Sequence, residues 1–594
     1  MLLKPIKKPL KKALFAAVEA LRTPPIGYAR ADMACCANGA TPRALTSTQG
    51  ELRMTTPFGK APATLVAFTV AALLQAYAPT AQAQASPELK QAVAAGIDKR
   101  AKLVQEMVDS VFSFAEPGFQ EFKTSEYITG ILEKNGFKVT RGVAGIPTAW
   151  TATWGDSGPM IALGSDIDAL LGLSQYPGIK DVKPMVAGAP GHGEGHNSGM
   201  PLIVAAALST KEVMEKNGIK GRLMVWPGVA EELLATKAFY VRDGLFKNVD
   251  ATIFTHVSTD FSTGYGPGGN TGLVSVEYTF NGRSAHAGAS PWMGRSALDA
   301  VEIMNMAWNM RREHLPITQR SHYVITNGGG QPNVVPDVAS VWYYFREQDF
   351  ESIKNLYQTG NTISEAAALA TETKVTRRVL GYAAPNYGNK PLAEAAYENI
   401  KAVGMPKWSA DDVAFARMVG EANRVVDFSR PGSSDLKPLA TEVTPLRAPT
   451  GNAGSGGSDD IGDIMWSVPT ITIRYPSNIP NVAGHHVTSA MAMTTPIAHK
   501  GAVAGAKAVA MTVLDLMTTP KLLADAKDYF NNVQTKDVKY TPVLTAEDSP
   551  GVHLNKELMD QMRPKMQKFY YDPKKYNSYL EQLGIPYPGV PASK

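Results

Sequence analysis

The chain has 594 residues, which is too many for one hydrophobic core, so two or three domains are expected. Its apolar fraction of 44% and charged fraction of 19% are ordinary for a globular protein. Of the 59 Lys and Arg and the 54 Asp and Glu residues, 10 and 3 lie in the first 85 positions, which leaves 49 basic and 51 acidic residues. This near-neutral remainder excludes a nucleic-acid-binding function.

Residues 1–85 have the pattern of a leader that ends in a signal peptide at about 54–85. The signal segment has Lys60 near its start, an apolar run from Leu65 to Leu74, and "AQA" triplets that end at Ala83 and Ala85. The apolar run is too short to cross a bilayer, so we expect no stable membrane span after cleavage. An uncleaved membrane anchor is the alternative.

Both cysteines, Cys35 and Cys36, belong to this leader. The chain from Ser86 onwards therefore has no thiolate to serve as a metal ligand or nucleophile. A cysteine-free chain suits an oxidising compartment. Together with the signal peptide, this predicts a periplasmic or secreted location.

From Ser86 the sequence alternates between helix-like and strand-like segments. "MIALGSDIDAL", "GRLMVWPGVAEE" and "DATIFTHVSTD" are typical of buried strands that end in acidic or His residues, and "PLIVAAALSTKEVMEKNG" is typical of a helix. Such alternation predicts an α/β fold with a mostly parallel central sheet. In these sheets the functional site lies beyond the carboxyl ends of the strands.

The pattern changes near Gly272, where "LVSVEYTFNGRSA" alternates with period two, as in a half-exposed antiparallel strand. A long helix, two further strands and another helix follow, which predicts a small α+β domain inserted into a split α/β domain. The predicted boundaries are 86–271 and 386–520 for the two parts of the α/β domain, 272–385 for the inserted domain, and 521–594 for a C-terminal extension on the surface.

The segment "GHGEGHNSG" places ionisable side chains between glycines. Glycines remove steric bulk, so the chain can bend until Glu194 and His196 approach one point. Imidazole and carboxylate ligands together suit Zn, Mn or Co. The alternative is a solvent-exposed loop.

Other candidate residues follow the strands. Glu231 and Glu232 in "WPGVAEELL" can have different roles, with one binding a metal and the other accepting a proton from water. The alternative is that their negative charges stabilise a helix N-terminus. The remaining candidates are Asp166 and Asp168 in "SDIDAL", His256 in "FTHVSTD", and His485 or His486 in "NVAGHHVTSA". Each has a structural alternative, and the functional interpretation depends on their recurrence at successive strand ends.

Three other kinds of chemistry lack their motifs. The sequence has no G-x-S-x-G nucleophile elbow, no H-E-x-x-H helix and no G-x-x-x-x-G-K-[ST] phosphate loop. "GPGGNTG" and "GNAGSGGSDD" are rich in glycine but do not match a dinucleotide fingerprint.

In chain order, "SDIDAL", "GHGEGHNSG", "GVAEE", "FTHV", "GRSAHAG", "QPNVVPD", "GSDDIGD" and "AGHH" resemble the aminoacylase / glutamate carboxypeptidase family of dinuclear metallohydrolases. The resemblance covers about residues 95–515 and is closest to the amidohydrolases that act on p-aminobenzoyl-glutamate and on indole-acetyl-amino acids. It implies a zinc-peptidase-like catalytic domain that holds two divalent metal ions (Zn, Mn or Co). It also implies that the inserted domain is a lid that forms a homodimer.

The resemblance carries roles to individual positions. It implies metal ligands at His196, Glu232, His256 and His485. It makes Glu231 the general base and Asp168 a carboxylate that orients a ligand.

On the inserted domain, the resemblance implies that His286 reaches the site of a partner subunit and steadies the oxyanion. Asn333 and Arg346 fall near positions that bind the carboxylate of the substrate.

One position departs from this branch, which usually has Cys where Glu194 stands. A carboxylate is a harder ligand than a thiolate, so we expect binding through N and O donors and a shift away from thiophilic metals. His192, in the same segment, is expected to support the site as a neighbour rather than as a ligand.

The sequence thus predicts an exported amidohydrolase that cleaves N-acyl or aroyl amino acids, p-aminobenzoyl-glutamate-like compounds among them. The first alternative is a metallo-dipeptidase or carboxypeptidase of the same fold. The second is an exported protein that binds a metal or a peptide without catalysis, although such a protein has no need of Glu231.

Overall fold

The computed structural model describes residues 84–233, 236–424, 436–449 and 457–589. The predicted signal peptide, at about 54–85, lies outside the described residues except for its last two positions.

Two sheets and a two-stranded ribbon contain all the strands of the described residues. The strands are β1 Lys138–Arg141, β2 Trp150–Trp154, β3 Met160–Asp166, β4 Arg222–Gly228, β5 Ala251–Ser258, β6 Gly266–Pro267, β7 Gly272–Asn281, β8 Arg320–Asn327, β9 Val338–Glu347, β10 Lys374–Ala383, β11 Tyr387–Gly388 and β12 Thr470–Pro476.

Most α-helices belong to the part of the chain that forms the larger sheet. They are α1 Pro87–Lys99, α2 Ala101–Phe114, α3 Phe122–Lys134, α4 Gly199–Asn217, α5 Lys237–Arg242, α6 Ala297–Arg311, α7 Phe350–Ala370, α8 Lys390–Val403, α9 Ala410–Ala422, α10 Ile461–Met465, α11 Val487–Ala490, α12 Pro496–Thr518, α13 Pro520–Tyr529, α14 Lys556–Met566 and α15 Tyr579–Gln582.

The larger sheet has the strand order β1-β2-β4-β3-β5-β12. Strands β4, β3, β5 and β12 run parallel, whereas β1 and β2 pair antiparallel at one edge. Strand β3 is buried along nearly all of its length, which explains its continuous apolar sequence. The predicted α/β fold with a mostly parallel sheet is confirmed.

Helix α12 packs against α4, α8, α1 and β12. Within the described ranges it is the one helix that is long and apolar enough to cross a membrane, but 83% of its apolar window is buried inside the fold. We therefore assign it to the hydrophobic core.

The second sheet is antiparallel with the order β10-β7-β9-β8, and α6 and α7 pack against it. In β9, Val341, Tyr343 and Phe345 alternate with more exposed residues, so one face of the strand is in the core beneath the helices. This sheet begins at Gly272 and ends at Ala383. The two chain segments that join it to the larger sheet pair with each other as the β6–β11 ribbon.

The C-terminal segment packs on both sheet units. Leu544 joins the apolar core of the second sheet, and the Tyr540 hydroxyl donates to Asp463 Oδ1 at 2.6 Å. Farther along, Arg563 pairs with the fully buried carboxylate of Glu116, and the Tyr579 amide donates to Asp109 Oδ2 at 2.9 Å. The segment is thus held by specific polar contacts.

Replacing Arg563 with Ala is expected to lower the free energy of unfolding by about 2 kcal/mol, because the Glu116 carboxylate loses its counter-ion. This value is below that for a fully buried pair because Arg563 is partly exposed and two backbone amides still donate to Glu116. Urea denaturation measures the change. Lys556→Ala on the same helix, which removes only an exposed pair with Asp560, should stay within about 0.5 kcal/mol. Equal effects of the two substitutions would contradict the assignment.

Candidate metal centre

The acidic and His residues of the sequence motifs meet beyond the carboxyl ends of β3, β4 and β5. The segment Gly191–Gly199 follows β3 and ends in a single helical turn, His196–Ser198, which leads into α4. Gly195 has φ 128°, and a Cβ atom there would lie 2.5 Å from Met493 Sδ and 3.0 Å from Val257 Cγ2. Glycine is therefore required for the segment to pass this close to its neighbours.

Glu194 lies at the centre of the cluster. Its Oε2 atom is 3.4 Å from His196 Nε2 and 3.6 Å from His485 Nε2, while Oε1 is 3.5 Å from His256 Nε2. Imidazole nitrogens from separate parts of the chain thus surround one carboxylate. This arrangement brings together the loop after β3, the end of β5 and the segment before α11.

Glu231 and Glu232 follow β4 in a single helical turn, Glu231–Leu233. Glu231 Oε2 lies 4.0 Å from His196 Nε2, and Glu232 Oε2 lies 3.4 Å from His485 Nε2. Burial raises the pKa of Glu231 well above its ordinary value, and the nearby carboxylates of Asp166 and Asp459 raise it further. Burial, with Glu194 adding, raises the pKa of Glu232 to about 8.

Asp168 contacts two members of the cluster. His196 Nδ1 lies 3.2 Å from the Asp168 carbonyl oxygen and 3.4 Å from its Oδ1 atom. Asp168 Oδ2 accepts the backbone amide of Glu232 at 3.0 Å. These contacts orient the His196 ring with Nε2 toward Glu194, as expected of a carboxylate that positions a ligand.

His192 is buried, and its Nε2 atom lies 3.2 Å from the Val111 carbonyl oxygen. Burial lowers the pKa of His192 to about 3, so the ring is neutral and donates this hydrogen bond. His192 therefore anchors the Gly191–Gly199 segment to α2.

The choice between His485 and His486 is settled by geometry in favour of His485 as the cluster member. His486 instead turns its Nδ1 atom toward Thr488, 2.9 Å from the hydroxyl and 3.4 Å from the amide, and caps α11. His485 Nε2 lies 3.6 Å from Glu194 Oε2 and 3.4 Å from Glu232 Oε2.

The donor set fits divalent cations. His196 Nε2 and Asp168 Oδ1 are buried and have no hydrogen-bond partner among the described residues. Two groups of donor atoms that lie within 4.8 Å of one another share Glu194: one adds His196 and His256, the other Glu232 and His485. Two adjacent groups of N and O donors that share one carboxylate suit a pair of ions such as Zn, Mn or Co.

A cavity of about 310 Å³ opens over the cluster, and Arg346 of β9 lines it together with Arg474 of β12. The Arg346 guanidinium donates to Ser458 Oγ at 2.9 Å. The structure thus places Arg346 where a substrate would contact both the second sheet and the cluster.

His286 and Asn333 lie on exposed loops of the second-sheet unit and do not join the cluster of their own chain. His286 Nδ1 accepts the amides of Gly288 and Ala289 at 3.2 and 3.1 Å. The Asn333 carbonyl accepts the Ala287 amide at 3.0 Å, so the two loops are neighbours.

Comparison with known proteins places these features in a family. Residues 268–372 match the family model of the M20 peptidase dimerisation domain. Over 455 residues the chain is 32% identical to one of the subunits of p-aminobenzoyl-glutamate hydrolase from Escherichia coli (strain K12), covering 74% of this chain and 94% of that protein. The chain belongs to the M20 family of hydrolases. It is accordingly an enzyme of the class that cleaves amide bonds.

Other M20 relatives are more distant. The chain is 27% identical to Xaa-Arg dipeptidase of Mus musculus over 74% of this chain and 92% of that protein. The solved aminobenzoyl-glutamate utilization protein of Klebsiella pneumoniae matches with a TM-score of 0.47 and 16% identity, over 70% of this chain and 96% of that one.

A buried ion cluster lies next to the carboxylates of this M20 site, and no sequence motif indicated that Lys237 belongs to it. The Lys237 ammonium is fully buried and donates to Asp166 Oδ1 at 2.6 Å and to Asp460. Lys237 begins α5, within the apolar segment "KAFYV", and Asp460 belongs to "GSDDIGD". A lysine in an apolar segment was the one available signal, because buried lysines are nearly always paired.

Replacing Lys237 with Met is expected to destabilise the protein by about 3–5 kcal/mol, because two buried carboxylates lose their shared cation. Thermal and urea unfolding of the purified protein measure this loss. The control is Lys247→Met, which changes an exposed lysine shortly after α5 and should have little effect. A Lys237→Met protein as stable as the wild type would show that these carboxyl groups are protonated.

Proposed function

We propose that this chain is an exported, metal-dependent amidohydrolase that splits N-acyl or aroyl amino acids, p-aminobenzoyl-glutamate-like compounds among them. The observation that carries the proposal is the position of Glu231, a buried carboxylate 4.0 Å from His196 Nε2 at the edge of the Glu194-centred cluster. The relative with 32% identity supports the substrate class, since its name gives p-aminobenzoyl-glutamate as the compound hydrolysed.

In the proposed reaction, His196, His256, His485, Glu194 and Glu232 hold two divalent cations. When bound, such ions polarise a carbonyl group and make water more acidic. Glu231 accepts a proton from the attacking water and delivers it to the leaving amine.

Arg346 is proposed to bind the carboxylate of the substrate, since its guanidinium lines the cavity over the cluster. Asn333 would have to contact the substrate carboxylate from a second copy of the chain. His286 would likewise have to contact the oxyanion from that second copy. Both lie on exposed loops away from the cluster of their own chain. The proposal therefore requires a homodimer.

The surface of the second-sheet unit fits such a dimer. Strand β8 is an edge strand, and Val324 and Ile325 on it are 58% and 47% exposed. Met306 and Met310 of the adjacent helix α6 are 53% and 66% exposed. An exposed apolar edge of this kind is suited to pair with a second copy of the chain. This agrees with the match to a peptidase dimerisation domain.

The proposed function is tested with the purified mature protein. Its metal content is measured, and the same sample is assayed against N-acyl amino acids, aroyl amino acids and dipeptides. We expect about two ions per chain and turnover of acyl or aroyl amino acids. Turnover of Xaa-Arg dipeptides alone would favour the dipeptidase alternative, which the 27% identical relative from Mus musculus motivates. Fewer than one ion per chain would contradict the dinuclear site.

A further inference from the structure

A second cavity, here called the hinge cavity, lies beside the cavity over the cluster. Its volume is about 470 Å³, which suffices for an amino-acid side chain or a small acyl group. The residues that line it come from both connections between the two sheets, including the β6–β11 ribbon, from the segment 444–448 and from β12. They include Gly264, Tyr265, Gly266, Asn386, Gly388 and Thr472.

The two cavities share part of their lining. Asn270 and Arg474 belong to the walls of both the hinge cavity and the cavity over the cluster. The two cavities are therefore neighbours, and Arg474 belongs to the wall that they have in common.

The two cavities differ in their acidic residues. The cavity over the cluster is lined by Glu194, Glu231, Glu232 and Asp459 together with two arginines, whereas the hinge cavity has no Asp or Glu among its described lining residues. Its charged residues are Arg447 and Arg474.

One of these two arginines has no carboxylate partner. Arg447 pairs with Asp260, a residue whose Oδ2 atom also accepts the Thr444 hydroxyl at 3.1 Å. No carboxylate in the described ranges lies within 4.0 Å of the Arg474 guanidinium, although Asp260 is close enough to interact at longer range. The hinge cavity therefore presents a positive charge that can accept an anion.

The contact that Arg474 does make depends on the tautomer of His256. The Arg474 Nη1 atom lies 3.2 Å from His256 Nδ1, and the same Nδ1 atom lies 2.9 Å from the Val257 carbonyl oxygen. If His256 Nε2 is to bind a cation, Nδ1 must carry the ring proton, which it donates to Val257. Arg474 then has no acceptor on His256, and its guanidinium is free for a ligand.

Hydroxyl groups add to the polar character of the hinge cavity. Ser262 Oγ and Thr472 Oγ1 belong to lining residues, and neither has a hydrogen-bond partner within the part of the chain that the structure describes. Buried hydroxyls are usually hydrogen-bonded, so a hydroxyl without a partner beside the cavity is suited to donate to a ligand oxygen. Thr472 is the partly exposed residue of the two, whereas Ser262 is fully buried.

We propose that the hinge cavity binds a carboxylate arm of the substrate, with Arg474 as its counter-ion. This inference rests on the proposed function and narrows it: the preferred substrate carries a second carboxylate besides the one assigned to Arg346. That second carboxylate belongs either to the side chain of the amino acid or to the acyl group.

The test uses the Glu231→Gln variant loaded with metal, so that binding is measured by calorimetry without turnover. N-benzoyl-glutamate is compared with N-benzoyl-glutamine, and N-succinyl-phenylalanine with N-butyryl-phenylalanine. We expect at least about 10-fold tighter binding of the charged member in one pair, and the pair that shows it identifies the arm. Adding Arg474→Gln should reduce this preference to within about 2-fold.

A matched control and a second variant complete the test. Arg417→Gln removes an exposed guanidinium on α9 and should leave the preference unchanged. Should Arg474→Gln fail to fold, Thr472→Val keeps the guanidinium and should reduce the preference several-fold. Equal binding within both pairs, no binding of any of the compounds, or an unchanged preference after Arg474→Gln overturns the inference. Failure of the wild type to cleave any of the compounds would instead contradict the proposed function.

Discussion

Replacing Glu231 with Gln is expected to lower kcat on an N-acyl amino acid by about 10²- to 10⁴-fold, the usual contribution of a general base. Gln has nearly the same shape as Glu but cannot accept and return a proton. Glu231 belongs to neither of the two donor groups that share Glu194, so we expect the metal content to stay the same. Steady-state kinetics and metal analysis of the same preparation measure both quantities.

The control is Glu215→Gln on α4, which changes a carboxylate that is 49% exposed and should leave kcat unchanged. If Glu231→Gln retains full turnover, another residue accepts the proton and the assignment of Glu231 is wrong. If the wild type binds metal but hydrolyses none of the compounds, the non-catalytic alternative gains support. The two results separate an incorrect residue from an incorrect function.

The sequence predicted the parts of the molecule that depend on local patterns. The apolar runs of β3, β4 and β5 indicated a parallel sheet, and the polar residues after each run had to meet at one edge. The change to period two near Gly272 indicated the antiparallel unit, which the structure begins at that residue. These inferences succeeded because backbone periodicity and strand direction alone decide them.

Contacts between distant segments could not be predicted in this way. Lys237 and Asp460 are separated by more than 200 positions, and only the packing of α5 against α10 brings their charges together. His485 and His486 are adjacent in sequence, so composition could not separate them. The contacts of His485 with Glu194 and Glu232, and the capping contact of His486, distinguish the two in the structure.

Residues on the second-sheet unit show a further limit. Arg346 reaches the cavity over the cluster of its own chain, but His286 and Asn333 do not reach the cluster, although all three belong to one unit. A sequence motif identifies the type of residue. It does not show whether that residue contributes to the site of its own chain or to the site of a second copy, because this depends on how the chains assemble.

Replacing Glu194 with Ala is expected to reduce the bound metal from about two ions per chain to one or fewer, and to abolish most of the activity. Glu194 belongs to both donor groups, and its two oxygens lie 3.4–3.6 Å from three imidazole nitrogens. No other carboxylate of the described chain occupies this shared position, so both ion sites lose a ligand. Metal analysis after dialysis against limiting Mn or Zn measures the loss, and kinetics on the same samples relate it to turnover.

The matched variant is Glu194→Cys, which restores a shared ligand but replaces an oxygen donor with sulfur. Soft thiolates favour thiophilic metals, so this protein should keep two ions while its preference moves from Mn toward Zn and Cd. The Ala variant removes the shared ligand, whereas the Cys variant keeps a ligand and changes only its hardness. Comparing the two variants therefore separates the effect of losing the ligand from the effect of changing its donor atom. If Glu194→Ala still binds two ions, the cations do not share this carboxylate. If Glu194→Cys keeps the wild-type order of metal preference, the carboxylate at position 194 does not set the metal preference of the site.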